Sequence, residues 1–261
     1  MTILDILADH ARERVRKDRQ LIPLKELKEQ AMKLNSDGRR FYDVIGREGV
    51  SFICEVKKAS PSKGIIDSVF DYRQIADDYK KGAADAISCL TEPKWFLGSD
   101  AIFKEIRQQV SIPMLRKDFI IDEYQIYQSK VLGADCVLLI CTLLDQQTIE
   151  HWLDLCERLK MAVLVEAHDE KELEMALRTQ ARMIGVNNRN LKDFSVDLNN
   201  ARQLRSRIPV DRLFVAESGI TGPADIRLLR EAGADGVLIG ESLMRAASRV
   251  GFLQEMKEAG R

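Results

Sequence analysis

Histidines and paired cysteine motifs are scarce in this 261-residue chain, and their scarcity argues against a metal site. The three histidines are far apart in sequence, and only His168 lies near a predicted strand end, where we expect it at the rim of a site rather than as a ligand. The five cysteines are odd in number and lack C-x-x-C spacing, which favours reduced thiols in an apolar core. The sequence contains neither G-x-G-x-x-G nor a P-loop. We therefore expect no bound metal and no nucleotide cofactor.

Net charge and long apolar runs are lacking too. The 40 basic and 41 acidic residues nearly cancel, so the composition does not indicate binding to nucleic acid. No apolar run approaches the ~20 residues of a membrane span. Asp5 and Asp9 interrupt the apolar start of the chain, where a signal peptide needs a continuous apolar segment. We expect a cytoplasmic protein that binds neither nucleic acid nor membranes.

Short apolar runs alternate with helical patterns from residue 50 onward, which predicts a buried parallel sheet. Closely similar segments, L-G-A-D-C-V-L and A-G-A-D-G-V-L, begin at Leu132 and Ala232, and K-G-A-A-D-A-I is a looser copy. The runs fall at 50–57, 85–90, 113–117, 134–140, 161–167, 183–187, 213–218 and 236–240. Eight strand–helix units favour an α/β fold of the (β/α)8 or TIM-barrel type over an open doubly wound sheet.

The first 48 residues have a different, helical pattern. Residues 2–20 have amphipathic spacing that opens with a capping box formed by Thr2 and Asp5. A second helical stretch follows Pro23. We therefore predict a helical N-terminal extension over residues 1–48, packed on a single catalytic barrel over residues 49–261.

Polar and charged side chains stand at the ends of the predicted strands. Side chains alternate along a strand, so Glu55 and Lys57 point to the same face as Ile53. Later strands end in Lys117, Glu166, Asn187, Arg189 and Glu217. Active sites of such barrels lie at the carboxyl ends of the strands, and buried charges are costly unless they are paired. We predict one site there, suited to proton transfer or Schiff-base chemistry.

Glycine turns follow the seventh and eighth predicted strands. S-G-I at 218–220 and G-E-S at 240–242 each precede a helix, so their backbone N–H groups can surround an anion. These two loops are the frequent phosphate site of (β/α)8 barrels. The pair favours a phosphorylated small molecule as ligand, whereas a simple tight turn would explain either loop alone.

Several of these segments together resemble a known family. They are E-V-K-K-A-S-P-S-K-G, L-R-K-D-F-I-I-D-E-Y-Q, A-D-C-V-L-L-I, V-E-A-H, G-V-N-N-R-N-L and A-E-S-G-I. As a linked set over nearly the whole chain, they resemble the indole-3-glycerol-phosphate synthases of tryptophan biosynthesis. The resemblance implies a cofactor-free carboxy-lyase that closes the ring of 1-(2-carboxyphenylamino)-1-deoxyribulose 5-phosphate, with loss of carbon dioxide and water. That reaction is the fourth step from chorismate.

The resemblance also implies a role for each polar strand end. Lys117 would be the general acid of ring closure, and Glu166 the catalytic carboxylate of the dehydration. Glu55 would assist proton transfer, and Lys57 would bind the substrate carboxylate and orient its neighbours. The implied substrate-binding residues are Ser60, Ser218, Gly219 and Gly240 around the phosphate, Phe119 and Leu138 against the anthranilate ring, Asn187, Arg189 and Glu217 in the polar ring, and Leu191 and Glu241, the latter through its backbone N–H.

Two other functions remain open at this point. A Schiff-base aldolase would use Lys57 or Lys117, and borohydride trapping of a substrate adduct would identify it. A non-catalytic barrel would bind a sugar phosphate without turning it over. In every case we expect a small sugar phosphate as ligand, and we expect a monomer or a weak homodimer.

Overall fold

Eight parallel strands close into a barrel in the computed structural model, which describes residues 2–190 and 194–261. Each strand pairs with the next along the chain, and the first pairs with the eighth, with Cys54 opposite Ile239. The strands are Ser51–Val56, Ala86–Leu90, Met114–Lys117, Cys136–Ile140, Ala162–Ala167, Met183–Asn187, Leu213–Glu217 and Gly236–Ile239. The predicted (β/α)8 barrel is confirmed.

Helices cover the outside of the barrel after each strand. Many begin at a side chain that accepts a backbone N–H of the first turn, and Asp71, Asp145 and Asp169 are examples. Such caps satisfy donors that the helix itself leaves free, so they fix where each strand–helix loop ends. The helices are Tyr72–Lys81, Asp100–Gln109, Glu123–Leu132, Gln146–Arg158, Glu170–Leu177, Asn199–Arg205, Pro223–Glu231, Glu241–Arg245 and Arg249–Gly260.

The segment before the barrel is helical, with helices at Ile3–Leu21, Leu24–Met32 and Arg40–Ile45. The predicted capping box is present, because the Thr2 and Asp5 side chains each accept the other residue's backbone N–H. The first helix packs Leu4 and Leu7 at the carboxyl end of the barrel, and the short third helix packs against the interior core. The boundary at residue 48, between the helical extension and the barrel, stays a prediction.

Side chains of the barrel strands divide between two apolar layers. Ile53, Leu115 and Leu164 belong to the interior layer, whereas Phe52 and Cys54 belong to the layer between strands and helices. Because side chains alternate along a strand, the polar residues that follow the interior set also point inward. This alternation brings the charged side chains at the strand ends together inside the barrel.

Two expectations from the composition, about the cysteines and about membrane-spanning helices, can be compared with the structure. All five cysteines are buried and unpaired, which confirms that they are core thiols. Among residues 2–190 and 194–261, none of the helices combines the length and the apolar content needed to cross a membrane.

Candidate active site

A cavity of about 730 Å³ opens at the carboxyl end of the barrel. The predicted site residues that the structure describes all line it: Glu55, Lys57, Ser60, Lys117, Phe119, Leu138, Glu166, Asn187, Arg189, Glu217, Ser218, Gly219, Gly240 and Glu241. The remaining one, Leu191, lies outside the described residues. The strand ends thus form one site, and the roles assigned to them stay predictions at this point.

Lys117 lies between two buried carboxylates at the floor of the cavity. Its Nζ is 3.3 Å from Oε2 of Glu166 and 3.5 Å from Oε2 of Glu217. The three residues end the third, fifth and seventh strands, and alternate strands of such a barrel contribute side chains to the same interior layer. Both carboxylates are almost completely buried, so the ammonium group is their compensating charge.

The protonation states of this group follow from its geometry. Burial on its own lowers the pKa of Lys117, but the surrounding carboxylates, chiefly Glu166 and Glu217, outweigh it and hold that pKa above its usual range. Burial raises the pKa of Glu166, but Lys117 and His168 reverse this and leave it low. Burial and the neighbouring charge of Glu166 raise the pKa of Glu217. The two carboxyl groups therefore differ in acidity, and Glu217 holds a proton more readily than Glu166.

Glu55 and Lys57 form a second ion pair beside this floor, between Oε1 and Nζ. The Glu55 side chain is buried, and the Lys57 side chain is 17% exposed. Gly240 at the end of the eighth strand passes so close that an added Cβ would collide with both side-chain ends. Glycine at this position therefore makes room for the pair as well as for a ligand.

The loop after the seventh strand has an unusual backbone. Ser218 and Gly219 have φ values of 68° and 82°, in the left-handed region that a serine seldom adopts. Asn188 holds the loop, because its Nδ2 donates to the Ser218 carbonyl over 3.1 Å. The strain is typical of a functional loop.

Three cations stand near this loop, around the carboxylate of Glu241. Arg245 Nε is 3.3 Å from it, and Lys63 Nζ and Arg189 Nη2 are each 3.9 Å from it. Two arginines and a lysine at one end of the cavity suit a phosphate. Ser60 is part of the neighbouring hairpin, formed by Ala59–Ser60 and Gly64–Ile65.

The first helix supplies a wall that sequence reasoning did not assign to the site. Ile3, Leu4 and Leu7 line the cavity. Arg14 anchors this helix through two hydrogen bonds of 2.6 and 3.0 Å to Asp118, the neighbour of Lys117. No local signal in the sequence shows which end of the barrel the helix covers.

No metal-binding site is evident among the residues that the structure describes. There, no group of at least three His, Cys, Asp or Glu side chains is placed to hold a metal ion. The absence of a cofactor stays a prediction.

The residues at the mouth of the barrel can perform acid–base chemistry on a small anionic molecule. The fold and this site together define the chain as a (β/α)8-barrel enzyme. The family model for indole-3-glycerol phosphate synthase matches residues 4–256. The chain belongs to the indole-3-glycerol phosphate synthase family, and it is therefore an enzyme of the carboxy-lyase class in tryptophan biosynthesis. The resemblance seen in the sequence is confirmed.

Individual relatives agree. Proteins named indole-3-glycerol phosphate synthase from Lachnoclostridium phytofermentans and Ruminiclostridium cellulolyticum are 43% and 47% identical, and each alignment covers 98% of both chains. One from Endomicrobium trichonymphae is 47% identical over 98% of this chain and 100% of its own. A thiamine phosphate pyrophosphorylase structure from Pyrococcus furiosus covers 80% of this chain and 94% of its own, with a TM-score of 0.59 and 16% identity, so it is similar in fold alone.

Proposed function

We propose that this chain converts 1-(2-carboxyphenylamino)-1-deoxyribulose 5-phosphate into indole-3-glycerol phosphate, carbon dioxide and water. The observation that carries the proposal is the position of Lys117 between Glu166 and Glu217 on the cavity floor. Ring closure needs a proton donor at a carbonyl oxygen, and this ammonium is the donor that the floor presents.

Ring closure begins when the aromatic carbon that bears the carboxylate attacks the sugar carbonyl carbon. Lys117 donates a proton to the carbonyl oxygen, which becomes a hydroxyl. Loss of carbon dioxide then restores the aromatic ring. Lys57, whose side chain is 17% exposed and lines the cavity, binds the substrate carboxylate before it leaves as carbon dioxide.

Dehydration forms the last double bond of the indole. A base must accept a proton from the ring methylene carbon, while an acid, the ammonium of Lys57, donates a proton to the new hydroxyl so that it leaves as water. Glu166 is available as the base because it is ionised and its carboxylate lines the cavity beside Lys117. Glu55 assists proton transfer from the neighbouring ion pair.

The rest of the cavity fits the two ends of the substrate. The phosphate lies against Ser218, Gly219 and Gly240, with Ser60 from the opposite hairpin. The aromatic ring lies between Phe119 and Leu138, and Phe119 packs against Phe96 with ring centroids 5.9 Å apart. Asn187 and Arg189, with the backbone N–H of Glu241, complete the polar contacts.

Two wider expectations belong to the same proposal. We infer a cytoplasmic location from the composition, and we infer a monomer or weak homodimer. Size-exclusion chromatography with light scattering would measure the second.

A turnover assay tests the function. Purified protein incubated with the carboxyphenylamino sugar phosphate should yield a fluorescent indole product, with one carbon dioxide released for each product molecule. No product at high enzyme concentration would contradict the proposal. A borohydride-trapped adduct on Lys57 or Lys117 would instead support the aldolase mechanism.

A further inference from the structure

His168 lies directly behind the carboxylate of Glu166. Its Nε2 is 3.3 Å from Oε1 of Glu166, whose other oxygen, Oε2, faces Lys117 Nζ, also at 3.3 Å. The imidazole is mostly buried, with 13% of its side chain exposed. The Glu166 carboxylate therefore lies between two nitrogen groups, one in the cavity and one in the wall behind it.

The second nitrogen of the imidazole faces another carboxylate. His168 Nδ1 is 3.0 Å from Oε2 of Glu172, on the helix Glu170–Leu177. Glu172 is itself fixed, because it accepts the His168 backbone N–H over 2.8 Å and the Thr142 hydroxyl over 2.6 Å. Nδ1 meets hydrogen-bond geometry toward Glu172, whereas Nε2 approaches Glu166 at ion-pair distance without forming a hydrogen bond, so a cationic ring is attracted to both carboxylates.

The charge of the ring follows from these neighbours. Burial on its own lowers the pKa of His168, but the charges of Glu166 and Glu172, and the hydrogen bond to Glu172, raise it to about 10. A pKa there keeps the ring cationic through neutral pH. The sequence already contained a signal for this arrangement, since His168 and Glu172 are four residues apart at the start of a helix.

The imidazolium makes the two carboxylates beside Lys117 unequal. Glu166 faces both Lys117 and His168, whereas Glu217 pairs with Lys117, and within the described residues no ion pair joins it to His168. Two neighbouring carboxylates compete for one proton, and a cation beside one of them decides which stays charged.

We propose that His168 is a positioning residue: held by Glu172, it keeps the Glu166 carboxylate charged and turned toward Lys117, so that Glu217 is the partner that takes up a proton more readily. The inference rests on the role proposed for Glu166 in dehydration and adds a residue to that role. His168 itself does not line the cavity, so it acts through Glu166.

A change of activity with pH could reflect the titration of any charged group that faces His168. The groups that face the ring are Glu166 on the fifth strand, Glu172 on the next helix and Thr142 in the loop after the fourth strand. Asn200 Nδ2 donates to the His168 carbonyl over 3.0 Å and carries no charge. On the cavity side of Glu166 lies Lys117, which also pairs with Glu217.

The first experiment compares His168→Gln with His151→Gln, whose side chain is exposed on the helix Gln146–Arg158. Since acid–base groups contribute about 10²- to 10⁴-fold, the loss of this support should lower kcat about tenfold or more, with KM within about threefold. The acid limb of the kcat profile should move to higher pH, because without the imidazolium Glu166 binds a proton more readily. Unchanged kcat and an unchanged acid limb in His168→Gln would overturn the proposal.

A second readout does not depend on turnover. The ¹⁵N shifts of the imidazole nitrogens, assigned to His168 by comparison with His168→Gln, should show a doubly protonated ring at neutral pH. In Glu172→Gln the same ring should titrate at lower pH. A neutral His168 at pH 7 would overturn the inference. Absence of product from the unmodified enzyme would defeat the proposed function while leaving this measurement interpretable.

Discussion

The two sides of the cavity are built in different ways. Around Lys117, buried charges from alternate strands pair at fixed distances, and Glu166 and Glu217 are only 2% and 1% exposed. Around Glu241, the charge comes from side chains of a turn and a short helix, and Lys63 and Arg245 are 47% and 50% exposed. Buried charges are costly and rigidly placed, whereas exposed ones are screened and adaptable. The buried side should therefore govern kcat and the exposed side KM.

The largest effect is expected at Lys117. Since proton transfer by a positioned group contributes up to about 10⁴-fold, Lys117→Met should lower kcat about 1,000-fold. Lys171→Met is the matched control, because Lys171 is exposed on an outer helix. Steady-state turnover with the sugar-phosphate substrate measures both. More than a tenth of normal turnover in Lys117→Met would remove this residue as the acid.

The two carboxylates beside Lys117 should respond unequally to the same change. Glu166→Gln removes an ionised base and should lower kcat about 100-fold. Glu217→Gln replaces the carboxyl group with the raised pKa, which is the closer of the two to a neutral amide, so its kcat should fall less than about tenfold. Equal losses in the two variants would show that the proton is not confined to Glu217.

The anchor of the first helix should matter for stability. Arg14→Gln removes a charged partner of buried Asp118, which keeps Arg116 at 3.4 Å and the Thr91 hydroxyl at 2.7 Å. We expect the free energy of unfolding to fall by about 1–3 kcal/mol, measured by urea denaturation. Arg12→Gln breaks an exposed pair with Asp9 and should cost less than about 0.5 kcal/mol.

The same pair should give a pH dependence of known sign. Burial raises the pKa of Asp118, but Arg14 and its other partners outweigh this and hold it below the usual carboxyl value. A depressed pKa stabilises the fold above the unfolded value of about 3.9 and loses that effect as the pH falls. The stability difference between the normal enzyme and Arg14→Gln should therefore shrink below about pH 4. A constant difference down to pH 2.5 would contradict this origin.

The smallest effect is expected on the exposed side. Lys63→Gln and Arg245→Gln should each raise KM about two- to fivefold while kcat stays nearly constant, since exposed ion pairs are worth about 1 kcal/mol or less. Added salt should shrink the difference, because it screens exposed charges. A fall in kcat with KM unchanged would place these residues in the chemistry instead.

The sequence predicted those features that depend on local phase. Period-two alternation beside apolar residues such as Leu115 and Leu164 was enough to place Lys117 and Glu166 inward. It was harder to predict which side chains meet in space, because the distance from Lys117 to Glu217 depends on barrel closure over about a hundred residues of chain. The contacts of an outer helix likewise depend on the tertiary structure, which the local sequence does not reveal.

The first helix illustrates that second limit. Leu4 and Leu7 are buried at the cavity, whereas Ile6, equally apolar, is 37% exposed. Amphipathic spacing indicates a helix with an apolar face, but the surface that this face covers is decided elsewhere in the chain. The extension was therefore predicted as helical, while its part in the cavity wall was not.

If buried charges perform the chemistry while residues at the mouth of the cavity bind the substrate, the affinity of Lys117→Met for substrate should be nearly normal. Isothermal titration of Lys117→Met with 1-(2-carboxyphenylamino)-1-deoxyribulose 5-phosphate would give a Kd free of turnover. We expect a Kd within about threefold of the KM of the normal enzyme, because the anion-binding residues are untouched and uniform binding is separable from catalysis. Binding weakened more than about 30-fold, roughly 2 kcal/mol, would contradict it and would make Lys117 chiefly a substrate-binding residue.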